Sequence, residues 1–343
     1  LFLLFISCGT KNKEYANNVF PYSQFPQEKE LKGEVIELDT ALFRYPFRIR
    51  IEGDKAIVLD LHGSDYYGHL FQYPSFRYLS SFGRRGDSPL EMLSMENFRL
   101  HNHTLWTLDA NKSELTRLDF SSSGDSLLRE ETVALDEDIL RPLDFAIYND
   151  TTFVIPDYSG ESRFLKVDCK GKLIEKIGTI PTTNKKALQE ARPALAQAWR
   201  SFLDYNSHNS VLATVTQLGE VVEIYNLKDS THVIRVGEYD EPEFKVSDGY
   251  GIPTGIMGFS DVQVTDDAIY AVFHGTSFKD IARQSGRLSD GGKYIYVFSL
   301  KGEPLCKYVL DHYIYGIWVD EVTKTIMATD VNNDQPILKF SFG

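Results

Sequence analysis

Four aspartates end near-identical apolar phrases: Asp60 after IVL, Asp109 after LWTL, Asp157 after FVIP and Asp330 after IMAT. Carboxylates recurring at one level of a repeat can ring a cation such as calcium, a hard ion that takes oxygen ligands. The other chemistry open to an aspartate at a strand end is to accept backbone N–H bonds and cap its own turn. Capping is the preferred reading, because the aspartates recur as part of the repeat. The segment DANKSE (109–114) has a superficial likeness to a calcium loop but lacks its central glycine and terminal glutamate spacing.

A second group combines rings and charge. His62, Tyr66, Tyr67 and His274 could present aromatic and hydrogen-bonding surface of the kind that glycan and peptide sites use, or pack loop on loop. Arg84, Arg85 and Asp87 form a charged tip suited to carboxylate recognition; the competing reading is a solvated turn in which Gly83 and Gly86 matter most. Arg283 and Arg287 sit in a long polar segment. No G-x-S-x-G elbow and no HExxH occurs, and no catalytic residue is assigned. The enzyme alternative is a metal-assisted hydrolase or a lyase, with His62 and His274 as its only candidate histidines.

The elements that must position these residues come from the repeat. Counting LATVT ending at Thr216 and IYAVF ending at Phe273, six phrases recur at steps of 49, 48, 59, 57 and 57 residues. A period of this size in strand-like units indicates a propeller. Around each phrase lie short alternating runs bounded by Gly, Asn, Asp and Ser, as in FRLHN, LWTLD, ELTRLDF and LLREETV, which predicts four antiparallel strands per blade. The sixth unit stops one strand short, while an orphan run, GEVIELD (33–39), precedes the first blade. An unpaired strand edge is an aggregation hazard, so this run is expected to become the outer strand of the sixth blade and close the ring. The chain is thus expected to be all-β, one six-bladed propeller of four-stranded antiparallel blades over 33–343. Residues 185–203 alone read as helix, with Pro193 interrupting or restarting it.

In such a ring the loops from second to third strand and the links between blades emerge on one face. The oversized segments are of these two kinds: 60–68, 274–293, 83–96, 181–200 and 237–258, whereas EGDK, HNHT, YNDT and LKGE stay tight. Long loops gathered on one face of a rigid scaffold mark a binding face over the channel mouth. His62, Tyr66, Tyr67, Arg84, Arg85, Asp87, His274, Arg283 and Arg287 are its candidate contacts. No metal ligand is assigned and no cofactor is predicted, with calcium at the channel mouth as the alternative.

The net charge of −13 over 343 residues argues against nucleic acid. Cys169 and Cys306 fall in different blades, so no bridge is expected between them. The extreme N-terminus, LFLLFISC (1–8), is an apolar run followed by a polar segment (9–32) that reads as a tether. It resembles the bacterial lipobox, with Phe5 where leucine is usual. The resemblance implies cleavage before Cys8 and acylation of that cysteine.

The segment FGRRGDSPLEM (82–92) resembles the FG-x-x-G-x-x-P-x-E-F linker of NHL-like propellers, with Met92 in place of Phe. With the lipobox and the sixfold phrase, the chain from about 33 to 343 resembles the TolB-like six-bladed propeller lipoproteins of Bacteroidetes-type bacteria. The resemblance implies fold and envelope location, periplasmic or on the outer-membrane surface, and no particular activity. The expected function is non-catalytic binding of an envelope protein partner by the loop-rich face of a lipid-anchored monomer, with a glycan or small ligand as the alternative.

Overall fold

The structure, a computed structural model, describes residues 17–39, 43–283 and 289–343. Six blades, each a four-stranded antiparallel sheet, follow one another in chain order, and a separate hairpin pairs Phe244–Ser247 with Tyr250–Pro253. The second strand of each blade lies between two neighbours of its own sheet and between the faces of two adjacent blades. It is therefore buried on both faces, as in Lys55–Asp60, Thr104–Asp109, Val211–Thr216 and Ala268–Phe273. Such strands can be apolar residue after residue, which is why the repeated phrase shows so clearly. Outer strands such as Leu127–Ala134 keep polar, exposed positions.

The ring closes as expected. Glu34–Ile36 pairs antiparallel with the third strand of blade 6, Ile337–Ser341, and the Leu38 N–H donates to Gln335 Oε1 at 2.8 Å. The preceding segment, expected as a tether, is built into the ring over its described part. Val19–Pro21 adds a parallel fifth strand to blade 4 and Glu28–Leu31 another to blade 5. Tyr22 and Phe25 hold the crossing between them, with ring centroids 5.4 Å and 4.7 Å from Phe298 and Tyr296.

The expected helix is shorter and broken. It forms Lys185–Glu190, capped by Asn184, and Arg192–Ala198, with Pro193 in its first turn. Ser201–Asn206 is instead the inner strand of blade 4. Trp199, 1% exposed, continues the helical spacing into the core beside Leu195 and Ile234, which disguises the switch.

The channel is filled by charge. Asp261 of blade 5 accepts the Ile317 N–H of blade 6 at 2.9 Å, and Arg50 of blade 1 donates to the Ile317 carbonyl at 2.7 Å. On the other side, Asp144 of blade 3 accepts the Leu203 N–H of blade 4 at 3.0 Å, and Arg99 of blade 2 donates to the Leu203 carbonyl at 2.8 Å. Asp204 of blade 4 likewise takes the Val264 N–H of blade 5 at 2.8 Å. Side chains from neighbouring blades thus satisfy inner-strand groups that face the channel and have no ladder partner.

Candidate functional site

The aspartates that end the repeated strands hold the loop face in shape. Asp60 accepts the N–H groups of Arg44 at 2.8 Å, Tyr45 at 2.7 Å and His62 at 3.2 Å. Asp109 does the same for Leu93, Ser94, Asn111 and Lys112. Asp157 binds the N–H and hydroxyl groups of Ser159 and Ser162, and Asp330 the amide groups of Asn332 and Asn333. In blades 1 and 2 each carboxylate ties its own loop to the link entering the blade.

The linker motif is scaffold of the same kind. Gly83 has φ 64°, and a Cβ on Gly86 would meet the Glu91 carboxylate at 1.9 Å. Glu91 uses the space to accept the Ser88 N–H. Met92, where the linker pattern has Phe, is buried.

On the loop face the channel opens into a cavity of about 380 Å³. Its walls are the rings of Tyr45, Phe47, Phe202, Phe259 and Tyr315, and its rim carries Arg200 with Glu96, 3.6 Å apart. His62 and His274 reach this one cavity from blades 1 and 5. His62 is exposed and meets Tyr45 edge-on at 5.0 Å. His274 is buried, edge-on to Tyr315 at 5.5 Å, and its Nε2 has no hydrogen-bond partner. Burial pushes its pKa down to about 4, so the imidazole is neutral at physiological pH. The Tyr45 hydroxyl donates to Asp290 at 2.6 Å, and burial raises its pKa well above the ordinary phenol range. A neutral imidazole, a hydroxyl and one ion pair in an aromatic well suit recognition by hydrogen bonds and ring contacts.

The remaining expected residues lie apart from this cavity. Tyr67 belongs to the third strand of blade 1 and is buried, whereas Tyr66 beside it is 38% exposed. Arg85 lies over the Tyr67 ring at 3.8 Å, bonds its hydroxyl at 3.0 Å and donates to the Leu61 carbonyl, so it braces the loops. Arg84 points to solvent 3.5 Å from Glu91, and Asp87 is exposed. Arg283 ends an exposed helix, Phe278–Arg283. Arg287 and Cys8 lie outside the described residues.

Sequence reasoning missed Tyr45, Tyr315, Phe202, Arg200 and Glu96. Tyr45 and Tyr315 each stand just before an inner strand, at Pro46–Glu52 and Ile317–Asp320, a shared position visible only once those strands are placed. No helix among the described residues is long and apolar enough to cross a membrane.

The architecture recurs in solved structures. An exported protein from Bacteroides fragilis is 13% identical, with 94% of this chain and 98% of that one covered and a TM-score of 0.57. An auxiliary nutrient binding protein from Bacteroides ovatus is 10% identical, with 88% and 70% covered and a TM-score of 0.54. At these identities the likeness is one of fold. No curated protein matches the chain. The model of the TolB-like six-blade propellers matches residues 24–322, nearly the whole ring, and the chain therefore belongs to the TolB-like six-bladed propeller family.

Proposed function

We propose that this protein is a non-catalytic binding module of the bacterial cell envelope that receives a polypeptide partner on its loop-rich face. The observation that carries the reading is a continuous surface there. A shallow cavity of about 240 Å³, lined by Leu140, Pro193, Tyr250 and Arg200, adjoins the channel mouth, and Arg200 borders both. Leu140 is 53% exposed and Tyr250 is 60% exposed. Half-exposed apolar residues next to an aromatic well and an arginine have the composition of protein-interface anchors. Wells of about 530 Å³ and 310 Å³ on the opposite face are lined mostly by polar and charged residues such as His101, Asn206, His208 and Asp266, and lack such a ring of aromatic side chains.

Envelope location is supported by the apolar N-terminal run ending at Cys8 and by the fold likeness to an exported protein. A small ligand or glycan at the channel mouth is the second reading, favoured by the unpartnered Nε2 of His274.

The test places a photo-crosslinking residue at Leu140, at Tyr250 and, as a control on the opposite face, at Val322, which is 92% exposed. One polypeptide captured in the native envelope from both 140 and 250 but not from 322 supports the reading. Capture from all three positions alike, or from none, defeats it.

A further inference from the structure

Off the channel, between blades 4 and 5, lies a separate cleft of about 540 Å³. Small-ligand sites span roughly 300–1,000 Å³. Residues 22–25 roof it where the N-terminal segment crosses from one blade edge to the next, and tyrosines from three other elements wall it. Tyr239 comes from the link between the blades, Tyr294 and Tyr296 from the third strand of blade 5, and Tyr313 from its outer strand.

We infer that this cleft binds a neutral saccharide. A pyranose ring has an apolar C–H face and a rim of hydroxyls, and tyrosine matches it with a flat apolar ring carrying one polar group. The Tyr22 hydroxyl is already committed, donating to Glu220 at 2.9 Å. Among the described residues the hydroxyls of Tyr294, Tyr296 and Tyr313 make no hydrogen bond, and Tyr239 keeps 48% of its surface open. The unpartnered Nε2 of His274 also borders the cleft, because this ring forms the wall between cleft and channel mouth. A neutral imidazole nitrogen can give or take a hydrogen bond, which suits a hydroxyl.

The charges select against the other ligand classes. The Lys307 ammonium stands 4.7 Å from the centre of the Tyr294 ring, and that of Lys293 stands 4.9 Å from the centre of Tyr313. These are the positions a cationic ligand would need. Lys307 is also paired with Glu28 at 3.0 Å. Glu28, Glu220 and Glu238 all border the cleft, and three carboxylates against two ammonium groups repel an anion. What remains complementary is an uncharged molecule rich in hydroxyls.

The experiment is saturation-transfer NMR on the full chain with cellotriose, maltotriose, xylotriose and mannotriose at millimolar concentration, and with choline and galacturonate as charged probes. At least one neutral trisaccharide should bind, and neither charged probe should. Tyr239→Ala and Tyr313→Ala should each weaken that binding about tenfold, the loss of one aromatic contact, with melting temperatures near that of the unaltered protein. Val322→Ser, on the opposite face, should bind as the unaltered protein does. Failure of all four trisaccharides, preference for choline or galacturonate, or unchanged binding in both tyrosine variants would overturn the inference. Because Leu140 and Tyr250 do not border the cleft, the crosslinking result and this one stand or fall separately.

Discussion

Arg50 and Asp261 meet across the channel as a two-point pair, Nη1 to Oδ2 and Nη2 to Oδ1, both at 3.1 Å. They belong to blades 1 and 5, with blade 6 between them, and they grip both backbone groups of Ile317. Blade 6 is the composite one, made from both parts of the chain, so the pair secures the joint of the ring. Asp261→Ala would strip Arg48 and Arg50 of their buried counter-ion and the Ile317 N–H of its acceptor. A loss of roughly 3–5 kcal/mol is expected for breaking such a pair, read by urea unfolding. Asp54→Asn, which alters an exposed pair with Lys55, should change little.

Asp60 serves three backbone donors at once. Asp60→Ala should cost roughly 1–3 kcal/mol, the penalty for orphaned buried groups, and loosen residues 44–45 at the channel mouth. Because the oxygens of these aspartates are engaged by N–H and O–H donors, calcium and EDTA should leave the melting temperature of the unaltered protein unchanged. A calcium-dependent rise would revive the cation ring.

His274 links stability to pH. Its folded-state pKa of about 4 lies below the ordinary 6.5, so as pH falls the unfolded chain takes up the proton first. The stability it contributes is whole above pH 6.5 and disappears as pH falls from 6.5 to 4, on the order of 3 kcal/mol. His274→Gln should flatten the curve of melting temperature against pH in that window.

Glu223 acts lower on the scale. Burial opposes its charge, but Arg163, 2.7 Å away, and His232 more than offset that and hold its pKa at about 2. A depressed carboxyl pKa means stability present above about 4.5 and lost as pH falls towards 2. Glu223→Gln should remove the steep acid limb of unfolding and lower stability at neutral pH, as seen by circular dichroism.

The proposed lipid anchor makes a separate demand. Cys8→Ala should abolish incorporation of labelled palmitate and move the protein from the membrane fraction to the soluble one. Retention in the membrane fraction would disprove acylation at this residue.

The ring was legible because the second strand of every blade is buried on both faces and writes its burial as a continuous apolar run. The closing strand was legible because the sixth unit was visibly short. The fifth strands, Val19–Pro21 and Glu28–Leu31, were not, since three or four mostly exposed residues carry no period; only Tyr22, Phe25 and Leu31 betray them. The charge lining the channel was not legible either. Arg48, Arg50 and Asp261 look like polar positions facing water, and only the closed ring turns that side inward. At the site, His62 and His274 were named from their loops, whereas Tyr45 and Tyr315 became neighbours, 5.5 Å apart, only when blades 1 and 6 met.

The direction of the N-terminal strands has a mechanical consequence. Val19–Pro21 runs parallel to the outer strand of blade 4, so residue 17 lies towards the tight-turn side of the ring. A pull on the chain there, directed away from that face, draws along the strand and loads its hydrogen bonds together in shear. Two outlying strands and the aromatic crossing of Tyr22 and Phe25 must yield before any force reaches residues 34–36. The seam of the propeller is thereby isolated from tension on residue 17, and under such a pull the loop-rich face is turned away from the point where the force acts.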